Sequence, residues 1–492
     1  MTQIKADQRR FLIILICLNL RHQRSSFTMK QFLTILTLLG LLSIVCCQPK
    51  PTTPSLSLTS SDQAFLDSLQ RDTFWYFWET TNPENGLVPD RAPTPSFSSI
   101  AAVGFGLTSY LVGVERGYVT RQQAADRTLR TLRFFTNAPQ SDKATGGAGY
   151  KGFFYHFLDM KTGERFKQVE LSTIDTALLL GGILSAQSYF DRSTPAETEI
   201  RQLTEQIYGR VDWTWFQIRP PFVSMGWHPE TGFIKSDWTG YNEAMLLYVL
   251  ALGSPTHPIG PEVWSAWTKS YPWATFYDQT HVNFDPLFGH QYSHCWIDFR
   301  GIRDEYMHGK GIDYAENSRR ATYANRAYCV ANPGNWQNYG PTVWGLTACD
   351  GPKDTIVSGR HFFSYRARGA ASTQVVDDGT LAPTAAGGSL AFAPEICLPA
   401  LRAMKTKYGA KLYGEYGFRD AFNPTYRYQS ASANGSTQAG WFDRDYLGID
   451  QGPILLMAEN LRTEFVWNLM KKNPHIRRGL VRAGFTGGWL MP

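Results

Sequence analysis

Three stretches of the 492-residue chain set carboxyl groups against the start of a strongly apolar run. Over 236–253, SDWTGYNEAMLLYVLALG, a polar, aromatic, glycine-bearing half gives way to good helix formers, and Glu243 stands at the change. Glu170 and Asp175 lead into TALLLGGILSA, and Asp443, Asp445 and Asp450 lead into GPILLMAENLR. Carboxyl groups can share out proton donation and proton acceptance when burial keeps one protonated and polar surroundings keep another ionised. Helices this apolar do not lie on a surface, so the recurrence predicts buried helices whose N-terminal ends converge on one polar site. Helix N-termini also offer free N–H groups and positive potential, which hold carboxylates ionised unless burial opposes them.

Each acid also has a structural reading. Ser172 stands three residues before Asp175, so STID fits a capping box. The helix after Glu243 could be capped from Thr239 or Gly240. Asp450, ahead of Gly452 and Pro453, fits a helix entry with proline at the first helical position. Asp443 and Asp445 can pair with Arg444 or simply be solvated. Glu170, just outside the capping box, has the least structural reason to be there.

The elements that must position these acids are helical. Apolar residues recur at three- and four-residue spacing in DQAFLDSLQRDTFWYFWETT, SIAAVGFGLTSYLVGVE and TRQQAADRTLRTLRFFTNA, and again over 172–189 and 195–211. Aromatic loops separate them: 146–168, which reads as a hairpin or long loop, and 213–241. No low-complexity linker follows residue 62 and no exact repeat occurs. The pattern predicts one all-α domain over 62–492, an α/α toroid. This is an (α/α)6 barrel of inner and outer helices with long aromatic loops and a few short strands. In such a ring alternate helices run the same way, so the inner N-terminal ends gather around one mouth.

Composition narrows the partner. A net charge of +6 is small for this length, and no run of Lys and Arg is interleaved with aromatics, which argues against nucleic acid. Aromatics make up 14% of the chain; such rings stack on the apolar faces of sugars, or fill a large core. Residues 1–28 read as an upstream extension and Met29 as the start. The apolar run 32–45 is too short for a membrane span and fits an export signal over 29–47. Cys46-Cys47 and the Pro/Thr/Ser-rich tether 48–61 suggest a lipoprotein bearing lipid at Cys46 or Cys47, or else a cleaved signal and a soluble product. The expected location is the periplasm or outer membrane of a Gram-negative bacterium. Cys295, Cys329, Cys349 and Cys397 could form two disulfides or remain buried thiols; without a CxxC pair a zinc cluster is not expected.

His290 and His294, four apart, would share a helix face, but HxxxH without the intervening Glu of a zinc-protease helix is no metal motif. Neither metal nor cofactor is expected. These histidines, with Trp296, Arg300 and Arg303, read as substrate contacts or loop ties. Arg300 and Arg303 could instead join Asp298, Asp304 and Glu305 in a buried charge network. The loop 335–352, NWQNYGPTVWGLTACDGP, is dense in amides and aromatics, which suits neutral hydroxyl-rich ligands.

Long strings carry a resemblance over nearly the whole body from residue 62. They are VELSTIDTALLLGG (169–182), DWTGYNEAMLLYVLALGSPTHP (237–258), GHQYSHCWIDFRGIRDEY (289–306), WGLTACDGP (344–352), FAPEICLPALRAM (392–404) and WFDRDYLGIDQGPILLMAEN (441–460). The chain resembles the glucoamylase-like bacterial domain whose characterised members are endo-β-1,2-glucanases and related β-1,2-glucan (sophoro-) hydrolases. The resemblance implies an α/α toroid and an anomer-inverting glycoside hydrolase. Its substrate would be a neutral poly- or oligosaccharide, cleaved by a monomer that is endo-acting on β-1,2-glucan, with an exo-acting sophorohydrolase or a hydrolase of another β-glucan as alternatives.

Inversion needs an acid and a base about 6.5–9.5 Å apart, or farther if a substrate hydroxyl relays the proton. Glu243, flanked by Trp238 and Tyr241, is the expected acid; Asp450 is the first choice for the base, with Glu170 and Asp175 behind it. Trp227, Trp238, Trp296, Trp441 and Tyr446 are expected sugar platforms. Tyr241, Asp445, His290, His294 and Arg300 are expected substrate contacts. Two other classes stay open. A polysaccharide lyase could use Tyr292, His294 and Arg300, although the acids would repel a polyanion. A noncatalytic glycan-binding lipoprotein would use the acids only as hydrogen-bond acceptors.

Overall fold

Two of the apolar helices meet backbone against backbone. A Cβ on Gly182 would lie 2.0 Å from the Gly104 carbonyl oxygen, and one on Gly104 would lie 2.2 Å from that of Leu178. The computed structural model that shows this describes residues 58–428 and 436–491. The expected extension and signal at 1–47, with Cys46 and Cys47, lie outside the described residues. The tether ends sooner than expected: Thr59 caps the first helix in a capping box with Asp62.

Fifteen α-helices follow in the described residues: α1 (Ser60–Thr80), α2 (Ile100–Glu115), α3 (Arg121–Asn137), α4 (Thr173–Tyr189), α5 (Pro195–Gly209), α6 (Met245–Gly253), α7 (Glu262–Lys269), α8 (Tyr292–Trp296), α9 (Glu305–Lys310), α10 (Tyr314–Ala331), α11 (Pro383–Gly387), α12 (Pro394–Tyr408), α13 (Gly448–Thr463), α14 (Phe465–Met470) and α15 (Pro474–Arg482). They form an α/α toroid. Around the inner ring α2 packs on α4, α4 on α6, α6 on α8, α8 on α13, α11 on α13 and α13 on α2. Gln291, just before α8, joins α8 to the α11 region by donating to Ala385 O and Ser389 Oγ, both at 2.8 Å.

Sequence explains the division into layers. Every residue of α6 is buried, as is α2 from Ile100 to Gly113, so these helices are apolar all round and must be enclosed. The outer helices bury one stripe: in α5 only Glu197, Ile200, Thr204, Ile207 and Tyr208 are buried. The α13 entry differs from the expected one. The helix begins at Gly448, so Pro453 lies inside it and Asp450 sits in its first turn.

The described residues also form nine small sheets of short strands, including two that bear on the acids. The 146–168 region forms a hairpin of β1 (Gly149–Tyr150) and β2 (Phe153–Tyr155), which β3 (Leu171–Ser172), β4 (Gly226–His228) and β5 (Gly232–Phe233) extend into a five-stranded antiparallel sheet. β3 runs straight into α4, with Ser172 as the N-cap. β6 (Ala348–Asp350) pairs with β7 (Tyr365–Ala367) in a separate ribbon. Among the described residues the four cysteines are free and buried, and no helix is long and apolar enough to cross a membrane.

The Gly104–Gly182 crossing makes a direct prediction. Gly182→Ala must push α2 and α4 apart and should cost about 3 kcal/mol, the upper end for an overpacked core. Gly309→Ala, in α9, meets nothing within 4 Å and should leave stability unchanged or slightly raised. Urea midpoints of the two variants check this.

Candidate active site

Asp175 occupies the third position of α4, Asp450 the third position of α13, and Glu243 stands two residues ahead of α6. These entries meet at one mouth of the ring. Asp175 lies close enough to Glu243 for its charge to act on that carboxyl. The Tyr292 hydroxyl, at the start of α8, feels both Asp450 and Glu243.

Glu243 is held through its backbone. The Ser293 hydroxyl of α8 donates to Glu243 O at 2.7 Å and accepts from Leu246 N at 2.9 Å. The expected capping from Thr239 or Gly240 is not found among the described residues, since α6 has no side-chain cap. The Glu243 side chain is partly buried, and its Oε2 is shielded with no hydrogen-bond partner among the described residues. Burial, opposed by its own backbone N–H and reinforced by the Asp175 charge, raises its pKa to about 7.

Beside it, His156 lies between two acids, with Nδ1 2.8 Å from Glu170 Oε1 and Nε2 3.4 Å from Asp175 Oδ1. Burial alone would lower the imidazole pKa, but Asp175 and Glu170 outweigh it and raise it to about 9, so the ring is charged at neutral pH. Burial would raise Glu170, yet the hydrogen bond from His156 prevails and holds it below the usual carboxylate range. Burial raises Asp175 against the pull of His156 and Ser172. The capping box forms by half. Ser172 Oγ accepts from Asp175 N at 3.2 Å, while the Asp175 carboxylate turns to the Ser172 hydroxyl at 2.5 Å.

On the α13 side four buried or half-buried aspartates stand together. Ligand atoms of Asp350, Asp420 and Asp443 lie within 4.8 Å of one another, and Asp450 is in hydrogen-bond contact with Asp420. Backbone pairing places them: Asp420 N donates to Asp445 O at 3.0 Å, Asp443 N to Ala421 O at 2.9 Å, and Asp350 N to Asp420 Oδ2 at 2.8 Å. Arg91 bonds to Asp350, and to Asp90 Oδ2 at 3.1 Å. Carboxylates this close cannot all ionise. Burial first, then its neighbours' charges, raises Asp420 and Asp443; burial also raises Asp450, against the hydrogen bond it accepts from Asp420. Asp420 therefore holds a shared proton and Asp450 is the more acidic partner, the two titrating as a unit.

Two of these groups have the spacing a cation would need: Asp350 with Asp420 and Asp443, and His156 with Glu170 and Asp175. In the first, Arg91 and the shared proton already balance charge. In the second, a cation would have to displace the proton of the charged imidazole, since only the neutral ring can be a ligand.

Several expected substrate contacts are buried instead. Of the five expected platforms only Trp227 keeps an accessible face, in β4 beside Tyr150 and Trp215 at 5.5 and 5.4 Å. Trp296 stacks on Phe105 at 4.8 Å and donates to Thr108 Oγ1 at 2.9 Å, filling the ring interior. Trp238 is buried and donates to Thr173 Oγ1 at 2.9 Å, tying the α6 entry to α4. Trp441 and Tyr446 are buried beneath the acidic loops. Tyr241 and His290 are buried against each other at 4.8 Å, and burial keeps His290 neutral. Asp445 accepts from Thr94 N at 3.1 Å and lies 3.8 Å from Arg444, so it clamps two loops.

His294 and Arg300 belong elsewhere. His294 Nε2 meets Ser318 Oγ at 3.1 Å in the core, with the ring buried between Phe299 and Phe392 at 4.8 and 4.9 Å. Arg300 pairs with Asp298 Oδ1 at 2.7 Å and with Glu464 Oε1 at 2.9 Å. Glu464 is the C-cap of α13, so Arg300 is at the opposite end of that helix from Asp450, about 20 Å away at the α-helical rise. The Tyr292, His294 and Arg300 set of a lyase is thus dispersed. Arg300→Ala should lower the melting temperature yet change kcat/KM less than about twofold, as parallel melting and initial-rate measurements would reveal.

Asp90, Arg91, His156, Asp350 and Asp420 were not singled out from sequence. Two of them lie inside stretches whose composition stands out, His156 in the aromatic loop 146–168 and Asp350 in the loop 335–352.

A family model described as Glycoamylase, "Putative glucoamylase", matches residues 235–474. The crystal structure of a "putative glucoamylase" from Bacteroides uniformis ATCC 8492 is 33% identical, covers 88% of this chain and 100% of its own, and superposes with a TM-score of 0.76. This chain belongs to the Glycoamylase family. Another solved structure, endo-β-1,2-glucanase from Chitinophaga pinensis with sophorotriose and glucose, is 28% identical over 87% of this chain and 99% of its own, with a TM-score of 0.74. A curated relative, exo β-1,2-glucooligosaccharide sophorohydrolase (non-reducing end) from Parabacteroides distasonis, is 29% identical over 463 residues. That match takes in 87% of this chain, and the chain spans 59% of that relative's length.

Proposed function

We propose that this Glycoamylase-family protein is an exported glycoside hydrolase that cleaves β-1,2-glucan internally, with inversion of the anomeric centre. One observation carries the reading: a carboxyl poised near neutrality, Glu243, faces across Tyr292 a group of aspartates that share a proton. Glu243 gives its proton to the glycosidic oxygen as the bond to the anomeric carbon breaks. Asp450, ionised because Asp420 holds the shared proton, takes a proton from the water that attacks the opposite face. The β-1,2 linkage is supported by the names of the Chitinophaga pinensis and Parabacteroides distasonis relatives. A noncatalytic glycan-binding role would leave the raised proton affinity of Glu243 without a use.

Incubation with linear β-1,2-, β-1,3- and β-1,4-glucans, followed by product sizing, tests the reading. A ladder of sophoro-oligosaccharides from the β-1,2 polymer alone is expected. Release of disaccharide only would replace internal cleavage by exo action, the activity named for the Parabacteroides distasonis relative. No product from folded protein would overturn the hydrolase itself.

A further inference from the structure

Tyr365 is 60% exposed, while most large aromatic side chains of the mouth are buried. Its place is fixed by register. In the β6–β7 ribbon Tyr365 is the direct cross-strand partner of Asp350. Direct partners project to the same face with Cβ atoms about 4.5–5.5 Å apart, so the ring stands beside the carboxyl that adjoins Asp420 and Asp443. Burial first, then the charges of Cys349, Asp420, Asp350 and Asp450, raise the proton affinity of its hydroxyl, so the ring lies within electrostatic reach of these acids.

The ribbon is rigid. Arg368, fully buried just beyond β7, donates to Asp378 Oδ1 at 2.6 Å and Oδ2 at 2.8 Å, to Cys349 O at 2.7 Å and to Phe363 O at 3.1 Å. Gly351 N donates to Ser364 O at 2.6 Å across the same ribbon. A flat apolar face is therefore held in solvent next to hydrogen-bond acceptors. A hexopyranose has the matching form: a C–H face that covers an aromatic ring, and a rim of hydroxyls that donate to carboxylates.

We propose that Tyr365 is a sugar-stacking residue of the mouth, seating a neutral hexopyranose ring against Asp350 and Asp420. This rests on the glycan-hydrolase reading above. The test is calorimetric titration of wild type, Tyr365→Ala, Tyr365→Phe and Tyr365→Trp with sophoro-, laminari- and cello-oligosaccharides, with steady-state kinetics on whichever series is cleaved. Tyr365→Ala is expected to weaken binding and raise KM about tenfold, the equivalent of one good ring contact, with kcat changed less than about threefold. Tyr365→Phe and Tyr365→Trp should stay within about threefold of wild type, because the ring face does the seating. The exposed position means that all three variants should melt with wild type. Wild-type binding undiminished in Tyr365→Ala overturns the stacking role alone. Failure of wild type to bind or cleave any of the three series overturns the reading beneath it.

Discussion

Glu243→Gln removes turnover of β-1,2-glucan, with kcat reduced about 10⁴-fold and KM within about threefold of wild type. A sugar oxygen leaves slowly without a proton, and an amide has the shape of the carboxyl but no proton to give. Glu243 suits the exchange because its Oε2 has no hydrogen-bond partner among the described residues to lose. Its peptide is held by Ser293, independently of the side chain. The variant should therefore fold and bind as wild type does. Initial rates and a binding isotherm on the same preparation check both halves; equal loss of binding and turnover would mean that the side chain seats the substrate and does not protonate it.

The second large effect concerns Asp450 and the pH dependence. Asp450→Asn should lower kcat about 10³-fold, since the attacking water loses the carboxylate that accepts its proton. In the wild type the rate needs Glu243 protonated and the aspartate pair ionised once. Glu243, raised to about 7 by burial first, is protonated below that value, so activity falls as pH rises through about 7. The pair, raised above the ordinary carboxylate range by burial and mutual repulsion, gains its second proton as pH falls, and activity falls there too. The profile of kcat/KM is expected to be a narrow bell with macroscopic limbs. In Asp450→Asn the residual rate should keep the alkaline limb and lose the acidic one. A profile flat from pH 5 to 9 would contradict both assignments.

The inner helices were legible because their signal is local. The runs after Asp175, Glu243 and Asp450 are too apolar for a surface, and an acid within a turn of such a run must lie near its N-terminal end. The other half of the site has no such signal. Asp350 and Asp420 come from short strands and loops placed by tertiary pairing, Ala348 opposite Ala367 and Phe422 opposite Phe442. His156 follows β2 and reaches α4 only because β2 and β3 are neighbours. The tryptophans misled for a related reason. Residue type gives an aromatic face but not its exposure, and Trp296 fills space among α2, α4 and α8 that Gly181 leaves open. Arg300 misled because α8 is only five residues long, so the chain leaves the mouth within a few residues and ends beside the C-cap of α13.

Proton NMR of the protein acting on linear β-1,2-glucan reads linkage, cleavage and stereochemistry together. Hydrolysis by Glu243 and Asp450 with inversion predicts that α-anomer signals of sophoro-oligosaccharides appear first and relax to the equilibrium mixture, and that Glu243→Gln gives neither. First appearance of the β-anomer, of an unsaturated product, or of full-rate cleavage by Glu243→Gln would contradict it.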